Sequence, residues 1–347
     1  MSMPLRQQNR CAEIRCLDGA PVQTILRQPG QTAQLWNGIQ TFDAGCLGCV
    51  NRPCMTYASE ELQFAAVPDF PYSPEEAVCP VAAISWNHSG NYPVIDAKRC
   101  IVCGLCAARC PVSAIYFQEG FHISKKTKGI LRLPDTPEHR ACQQQQLAAL
   151  YRADTTGTWF LQCDAQIQNL YQALSKKRYD PQLPNRLVRN CLLGLGYHCA
   201  IRRRGDVNLR MDALFSKMDQ IGVAEIEFHQ DALEPPRAVL DDIAVLYARY
   251  GVDKQTILPL IVHLELPSVR TGHWQVVEDI QSVLGLRIHT VTLGALLLLL
   301  WHGKQPDLQH ETSFLRMESR SLRGFLAEHG VTTTLPVGCC SILEPEK

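Results

Sequence analysis

The chain has 347 residues, 46% hydrophobic and 20% charged, which is the composition of a folded globular protein with room for two or three cores. Its 34 Lys and Arg balance 34 Asp and Glu, so net charge selects neither a nucleic acid nor an acidic partner. Sixteen cysteines are many, yet no apolar leader follows Met1, and the longest apolar run, Ala295 to Trp301, is too short to span a bilayer. Thiols kept reduced point to a cytoplasmic protein and against a disulfide framework.

Residues 1–43 form an N-terminal extension with Cys11 and Cys16 among polar residues broken by Pro21, Pro29, Gly30 and Gly38; these cysteines read as unligated. Next comes Cys46-Leu-Gly-Cys49-Val-Asn-Arg-Pro-Cys54. After a long insertion, Ser73-Pro74-Glu75-Glu76 has the signature of a helix start, with an N-cap, a proline at the first position and a carboxylate at the third; it predicts a short helix delivering Cys79. Cys100-Ile-Val-Cys103-Gly-Leu-Cys106-Ala-Ala-Arg-Cys110-Pro111 then places three thiols at two-residue gaps and a fourth after three. Closing such a run around one cluster needs a tight turn, which Gly104 permits.

Val78-Cys79-Pro80-Val81-Ala82-Ala83-Ile84 and Arg109-Cys110-Pro111-Val112-Ser113-Ala114-Ile115 are nearly the same phrase, an internal repeat that reads as a helical turn entering a strand. Two copies predict two clusters. Over residues 44–118 the chain resembles the bacterial two-[4Fe-4S] ferredoxin family. That resemblance implies one cluster on Cys46, Cys49, Cys54 and Cys110, and another on Cys79, Cys100, Cys103 and Cys106. The four-residue gap before Cys54 and the insertion before Cys79 depart from the family pattern, and a [3Fe-4S] cluster is the alternative at the first site. A pair of zinc sites is the alternative for all eight, although zinc ligands usually come as two separated pairs.

Residues 119–183 read as a basic, partly helical linker. Lys125, Lys126, Lys128, Arg132 and Arg140 precede a helix at Gln143–Tyr151, and Lys176-Lys177-Arg178 follows. Such a run suits a phosphate backbone, and equally a solvated helix. Cys142 and Cys163 read as unligated.

From residue 184 to 303 the pattern is regular: a helix through Leu187, Val188, Cys191, Leu192 and Leu195; strands at His198–Arg203, Leu209–Phe215 and Val223–Phe228; a helix at Pro235–Tyr250 with Leu240, Ile243, Ala244 and Tyr247 inward. A strand at Ile257–Leu266, a helix at His273–Leu284, a strand at Leu286–Thr292 and a helix at Leu293–His302 complete it. This order predicts an α+β or α/β domain, a mixed sheet with helices on both faces. His198, Cys191 and Cys199 read as core. Residues 304–347 read as a C-terminal extension, with Cys339 and Cys340 unligated.

The element order, with Gly205-Asp206, Arg210-Met211-Asp212-Ala213 and Ala224-Glu225-Ile226-Glu227-Phe228, resembles the restriction-endonuclease-like superfamily, most closely its Mrr-type branch, over residues 185–302. The family motif is an Asp at one strand end and Glu-x-Lys or Gln-x-Lys on the next strand; Asp212 and Glu225 match, and Glu227 stands where the lysine should be. The resemblance implies Asp212, Glu225 and Glu227 as catalytic residues, with Asp212 and Glu225 holding Mg2+ or Mn2+ for attack on a phosphodiester. Arg237 is a weak substitute for the lysine. The bland readings are a solvated strand face for Glu225 and Glu227, and a surface ion pair between Asp212 and Arg203 or Arg210.

Together these readings lead to an iron–sulfur nucleic-acid-processing protein, acting on DNA in preference to RNA with other subunits in a restriction, defence or repair assembly. An electron-transfer protein with a redox partner, and a catalytically inactive DNA-binding or scaffold subunit, are the alternatives. No membrane association is expected.

Overall fold

The computed structural model describes residues 51–110, 115–117, 121–123, 163–176, 180–218, 220–229, 233–308, 321–336 and 341–346. Cys46, Cys49, the N-terminal extension, the basic run at 125–140 and the helix expected at 143–151 lie outside them. The chain forms two compact units, one of residues 1–56 and 77–161, the other of residues 57–76 and 162–347. Residues 57–76, inside the span expected for the ferredoxin-like domain, thus belong with the C-terminal unit and open it with a one-turn helix, α1 (Ser59–Leu62).

The expected helix at Ser73–Glu76 is absent. That stretch has no regular secondary structure, and Tyr72 forms an antiparallel bridge to Arg202. Its helix-start residues are used by distant partners instead: Ser73 N donates to Ile201 O at 2.7 Å, and Arg186 binds Glu75. A tertiary edge thereby overrides a local signal.

In the N-terminal unit, each copy of the repeat runs into a strand at its isoleucine. Ile84–Asn87 (β1) pairs antiparallel with Tyr92–Ile95 (β2). The one-turn helix α2 (Leu105–Ala108) leads to Ile115–Phe117 (β3), paired antiparallel with Phe121–Ile123 (β4).

The C-terminal unit adds α3 (Cys163–Lys176), inside the stretch expected as linker; Ile167, Leu170, Tyr171 and Leu174 are buried, so this helix is core. Then come α4 (Leu183–Gly194), β5 (His198–Ile201), β6 (Ala213–Lys217), β7 (Gln220–Glu227), α5 (Glu234–Tyr250), β8 (Ile257–His263), α6 (His273–Leu284), β9 (His289–Thr292), α7 (Leu293–Trp301) and α8 (Leu322–Glu328). Helices α5 and α6 stop where expected, at Gly251 and Gly285, both left-handed with φ of 67° and 69°. The sheet order is β5-β6-β7-β8-β9, antiparallel across the first three strands and parallel across the last three. Every residue of β8 is buried, as a strand covered on both faces must be. Two strands begin later than expected: β6 at Ala213, behind a loop from Arg203, and β9 at His289.

The inward face of α5 is a second correction. Val239, Asp242, Ile243 and Leu246 are buried, whereas Ala244 and Tyr247 are exposed. The helix is rotated by about one residue from the expected stripe, and that rotation carries a carboxylate inside. The C-terminal stretch is likewise part of the unit: Leu322 N donates to Leu343 O, Leu266 N to Ser341 O, and Phe325, Leu326, Ile342 and Leu343 are buried. Among the described residues no helix is long and apolar enough to cross a membrane.

Candidate functional site

Four of the six described motif cysteines surround one small cavity. Cys79, Cys100, Cys103 and Cys106 line it together with Val81, Ala83, Ile84, Ile95, Ile101 and Leu105. Local backbone explains how thiols so close in sequence reach a common centre. Val102 and Gly104 are left-handed, with φ of 57° and 75°, so the chain reverses its curl on each side of Cys103. Glycine takes that conformation freely, but a β-branched valine there is strained by about 1–3 kcal/mol, a strain that persists only where the surroundings impose it. Ala82, past Cys79, is left-handed too, with φ of 49°. Two backbone amides point at sulfur: Ala83 N donates to Cys79 Sγ at 3.1 Å and Val102 N to Cys100 Sγ at 3.4 Å.

Cys54 and Cys110 belong to an adjoining apolar cluster in the same unit. Cys54 is buried in a small cluster with Ala107 and Ile115, against which Met55, Cys106 and Cys110 pack. Arg109 ties the arrangement down by donating from Nε to Pro53 O at 2.9 Å. None of the described cysteines is in a disulfide. Burial and then the neighbouring Cys103, Cys79, Cys54 and Cys100 push the Cys106 thiol well above its ordinary range. Thiolates gathered in an apolar site need a cation to offset them, and four soft sulfur donors around a dry cavity fit an iron–sulfur cluster. The donor set therefore suits the group that the sequence implies.

Cys191 and Cys199 are fully buried in the core, as expected. His198 is half-buried, its Nε2 at 3.2 Å from Glu60 O and its ring tilted against Phe64. Cys163 is half-buried on α3, and burial pushes its thiol up to about 12.

In the C-terminal unit Asp212 and Glu225 do come together, but their third companion is Asp242, not Glu227. Asp212 sits just before β6 and prolongs the β6–β7 ladder with its side chain: Oδ2 accepts from Ile226 N at 3.1 Å and Oδ1 from Asn185 Nδ2 at 3.2 Å. Its ion-pair partner is Arg202, at 3.6 Å, and not Arg203 or Arg210. Glu225 is hydrogen-bonded to Asp242, which is 4% exposed and whose Oδ2 has no hydrogen-bond partner. Burial, then Asp212 and Asp242, raise the Glu225 pKa strongly; burial also raises Asp212 and Asp242. One proton is thus held between Glu225 and Asp242 near neutral pH. Glu227 Oε1 accepts from the backbone N of His229 and is engaged locally. Among the described residues no group of three or more His, Cys, Asp or Glu is arranged to hold a single metal ion.

Asp242 was missed by sequence reasoning because the helical stripe admits more than one rotation. The signal available was a polar residue three positions from Val239 and four before Leu246, inside an otherwise apolar i, i+3, i+4, i+7 set. A second buried titratable group is His263, at the end of β8 in register with Glu227. Its Nε2 lacks a hydrogen-bond partner, and burial, then the His273 ring 5.2 Å away, lower its pKa to about 3.

Comparison with known proteins matches residues 93–116 to the family described as a 4Fe-4S binding domain. Two proteins of Methanocaldococcus jannaschii, each described as an uncharacterized ferredoxin, are similar in part. One is 32% identical over 82 residues, covering 24% of this chain and 37% of that protein. The other is 38% identical over 74 residues, covering 21% and 40%. The chain thus spans about two fifths of the length of either relative. No solved structure matches the chain. Residues 93–116 are thus similar to a ferredoxin-type 4Fe-4S domain, which supports an iron–sulfur protein.

Proposed function

We propose that the chain is a ferredoxin-type electron-transfer protein that holds two [4Fe-4S] clusters and exchanges single electrons with a partner enzyme. One cluster takes Cys79, Cys100, Cys103 and Cys106; the other takes Cys46, Cys49, Cys54 and Cys110. The observation that carries this reading is the convergence of Cys79 with the Cys100–Cys106 run on one apolar cavity, across 20 residues of intervening sequence. When bound, such clusters supply reversible one-electron chemistry at low potential. The residues of the chain supply the thiolates, the amides of Ala83 and Val102 directed at sulfur, and the apolar wall of Ile84, Ile95, Ile101 and Leu105 that keeps water out. Hydrogen bonds to sulfur and exclusion of solvent are the two levers by which a protein tunes a cluster's potential.

Anaerobic purification, iron and sulfide analysis, and electron paramagnetic resonance of the reduced chain test this reading. About eight irons per chain and reversible reduction are expected. Iron that is lost on the first reduction would argue for a structural staple. Iron absent from anaerobically purified chain would sink the proposal.

A second reading, a Mg2+- or Mn2+-dependent nuclease with DNA as its substrate, is favoured by one observation: Asp212, Glu225 and Asp242 converge inside the C-terminal unit beside Arg202. Against it stand the missing lysine, the local engagement of Glu227 with His229 and the proton held between Glu225 and Asp242. These shift the weight to electron transfer, with the C-terminal unit as a docking or scaffold domain. Plasmid cleavage that requires the divalent ion and is abolished by Asp212→Ala would reverse that order.

A further inference from the structure

The chain leaves the N-terminal unit after Thr56 and re-enters it at Ala77. The two passages are hydrogen-bonded to each other: Val78 N donates to Met55 O at 2.8 Å, Thr56 bridges Ala77, and Tyr57 N donates to Glu76 O at 2.8 Å. This neck begins two residues after Cys54 and ends two residues before Cys79, cysteines that the proposed function assigns to different clusters.

Beyond the neck, residues 57–76 are built into the C-terminal unit. Phe64, Val67 and Phe70 are buried in its core with Ala200, Val239 and Ile243. The segment also joins the sheet beside β5: Ser73 N donates to Ile201 O, Tyr72 bridges Arg202, and Arg203 N donates to Pro71 O at 2.6 Å. Two arginines of α4, three residues apart, grip both roots of the segment. Arg186 Nη1 spans the two carboxylate oxygens of Glu75 at 2.7 and 2.8 Å. Arg189 lies 5.8 Å from the Tyr57 ring. It is fully buried, and its Nη1 and Nη2 have no hydrogen-bond partner. A buried guanidinium left so poorly paired does not stabilise a fold, so the core alone does not account for it.

We propose that residues 57–76 couple the iron–sulfur clusters to the C-terminal unit. Docking of the segment closes the 24-residue stretch between Cys54 and Cys79, so its loop-closure entropy is already lost before a cluster forms. Coupling free energies are reciprocal. Cluster occupancy therefore stabilises the segment, β5 and the Arg202–Asp212 pair, and the docked segment retains the clusters. This inference rests on the two-cluster reading, and the experiment below separates the two.

The full chain, purified anaerobically, is compared with and without iron by hydrogen exchange, and iron release to a chelator is timed for Glu75→Ala and Arg186→Met. Glu75 is partly exposed, with 41% of its side-chain surface accessible, so Glu75→Ala leaves the core packing in place. Iron removal is expected to deprotect residues 57–76 and β5 while β8 and β9 keep their protection. Both variants are expected to release iron about tenfold faster than the parent, equivalent to about 1.4 kcal/mol. Arg323→Met, which breaks the Arg323–Glu344 pair remote from the neck in sequence, is expected to release it at the parental rate. Identical protection with and without iron, or parental release by Glu75→Ala and Arg186→Met, overturns the coupling. A chain that never holds iron overturns the proposed function, and the coupling with it.

Discussion

The Glu225–Asp242 pair makes a quantitative prediction about pH. Glu225 is ordinarily half-ionised at pH 4.5, and in the fold burial and two neighbouring carboxyls raise it strongly. A raised folded pKa means that the native state holds a proton the unfolded chain has released. Its stabilising contribution is full below the unfolded pKa and is lost as pH rises towards the folded one, at about 1.4 kcal/mol per pH unit for one retained proton. Between pH 4.5 and 7 the loss is about 3 kcal/mol, an upper bound because water reaches a half-buried site. His263 works in the opposite sense. Its pKa falls from 6.5 to about 3 on folding, so its contribution is complete above pH 6.5 and is lost on acidification, by about 2 kcal/mol at pH 5. The two slopes oppose each other in the parent, and the raised Asp212 and Asp242 add to the Glu225 side. Glu225→Gln keeps the shape of the side chain and removes its titration. Urea unfolding, followed by the emission of the buried Trp274 and Trp301, is expected to show a variant more stable than the parent at pH 7. It is also expected to gain less stability than the parent on going to pH 5, by about 2–3 kcal/mol, because the Glu225 contribution is gone. A variant that is less stable at pH 7 and keeps the parental pH profile would refute the buried, protonated carboxyl pair.

The complementary change, His263→Gln, is expected to leave a chain whose stability rises on acidification from pH 7 to 5 in the same assay. Cys79→Ser and Cys106→Ser are each expected to lose about half of the bound iron, since the proposed function places both on one of two clusters; loss of none by Cys79→Ser would detach it from that site. Gly222 faces the Phe215 ring, which a Cβ would approach to 2.2 Å, so Gly222→Ala is expected to destabilise the C-terminal unit by about 1–3 kcal/mol in calorimetry. Addition of Mg2+ or Mn2+ is expected to leave the unfolding midpoint of the parent unchanged at neutral pH, because Glu225 and Asp242 are engaged with each other. A midpoint that climbs with the metal and is insensitive to it in Asp242→Asn would instead establish a cation site there.

What the sequence determined by itself was whatever depends on short spacing. The cysteine run from Cys100 to Cys110 and the repeated Cys-Pro-Val phrase marked the ferredoxin-type stretch because a chelating loop must be local, and the turn around Cys103 needs only Gly104 and a strained Val102. Helix ends at Gly251 and Gly285 were legible for the same reason: a left-handed residue stops a helix wherever it stands. Tertiary structure decided the rest. The apolar stripe of α5 spans Val239, Leu240, Ile243, Ala244, Leu246 and Tyr247, wide enough to admit neighbouring rotations. Only packing against the sheet chose the one that buries Asp242 beside Glu225. Residues 57–76 carry no periodicity of their own, and their capping signal at Ser73 reads as a helix until β5, Arg186 and Arg203 claim its polar groups from more than a hundred residues away. Groups that far apart in sequence are brought together by the collapse of the whole core, and nothing in the spacing of one segment encodes the partner it will meet.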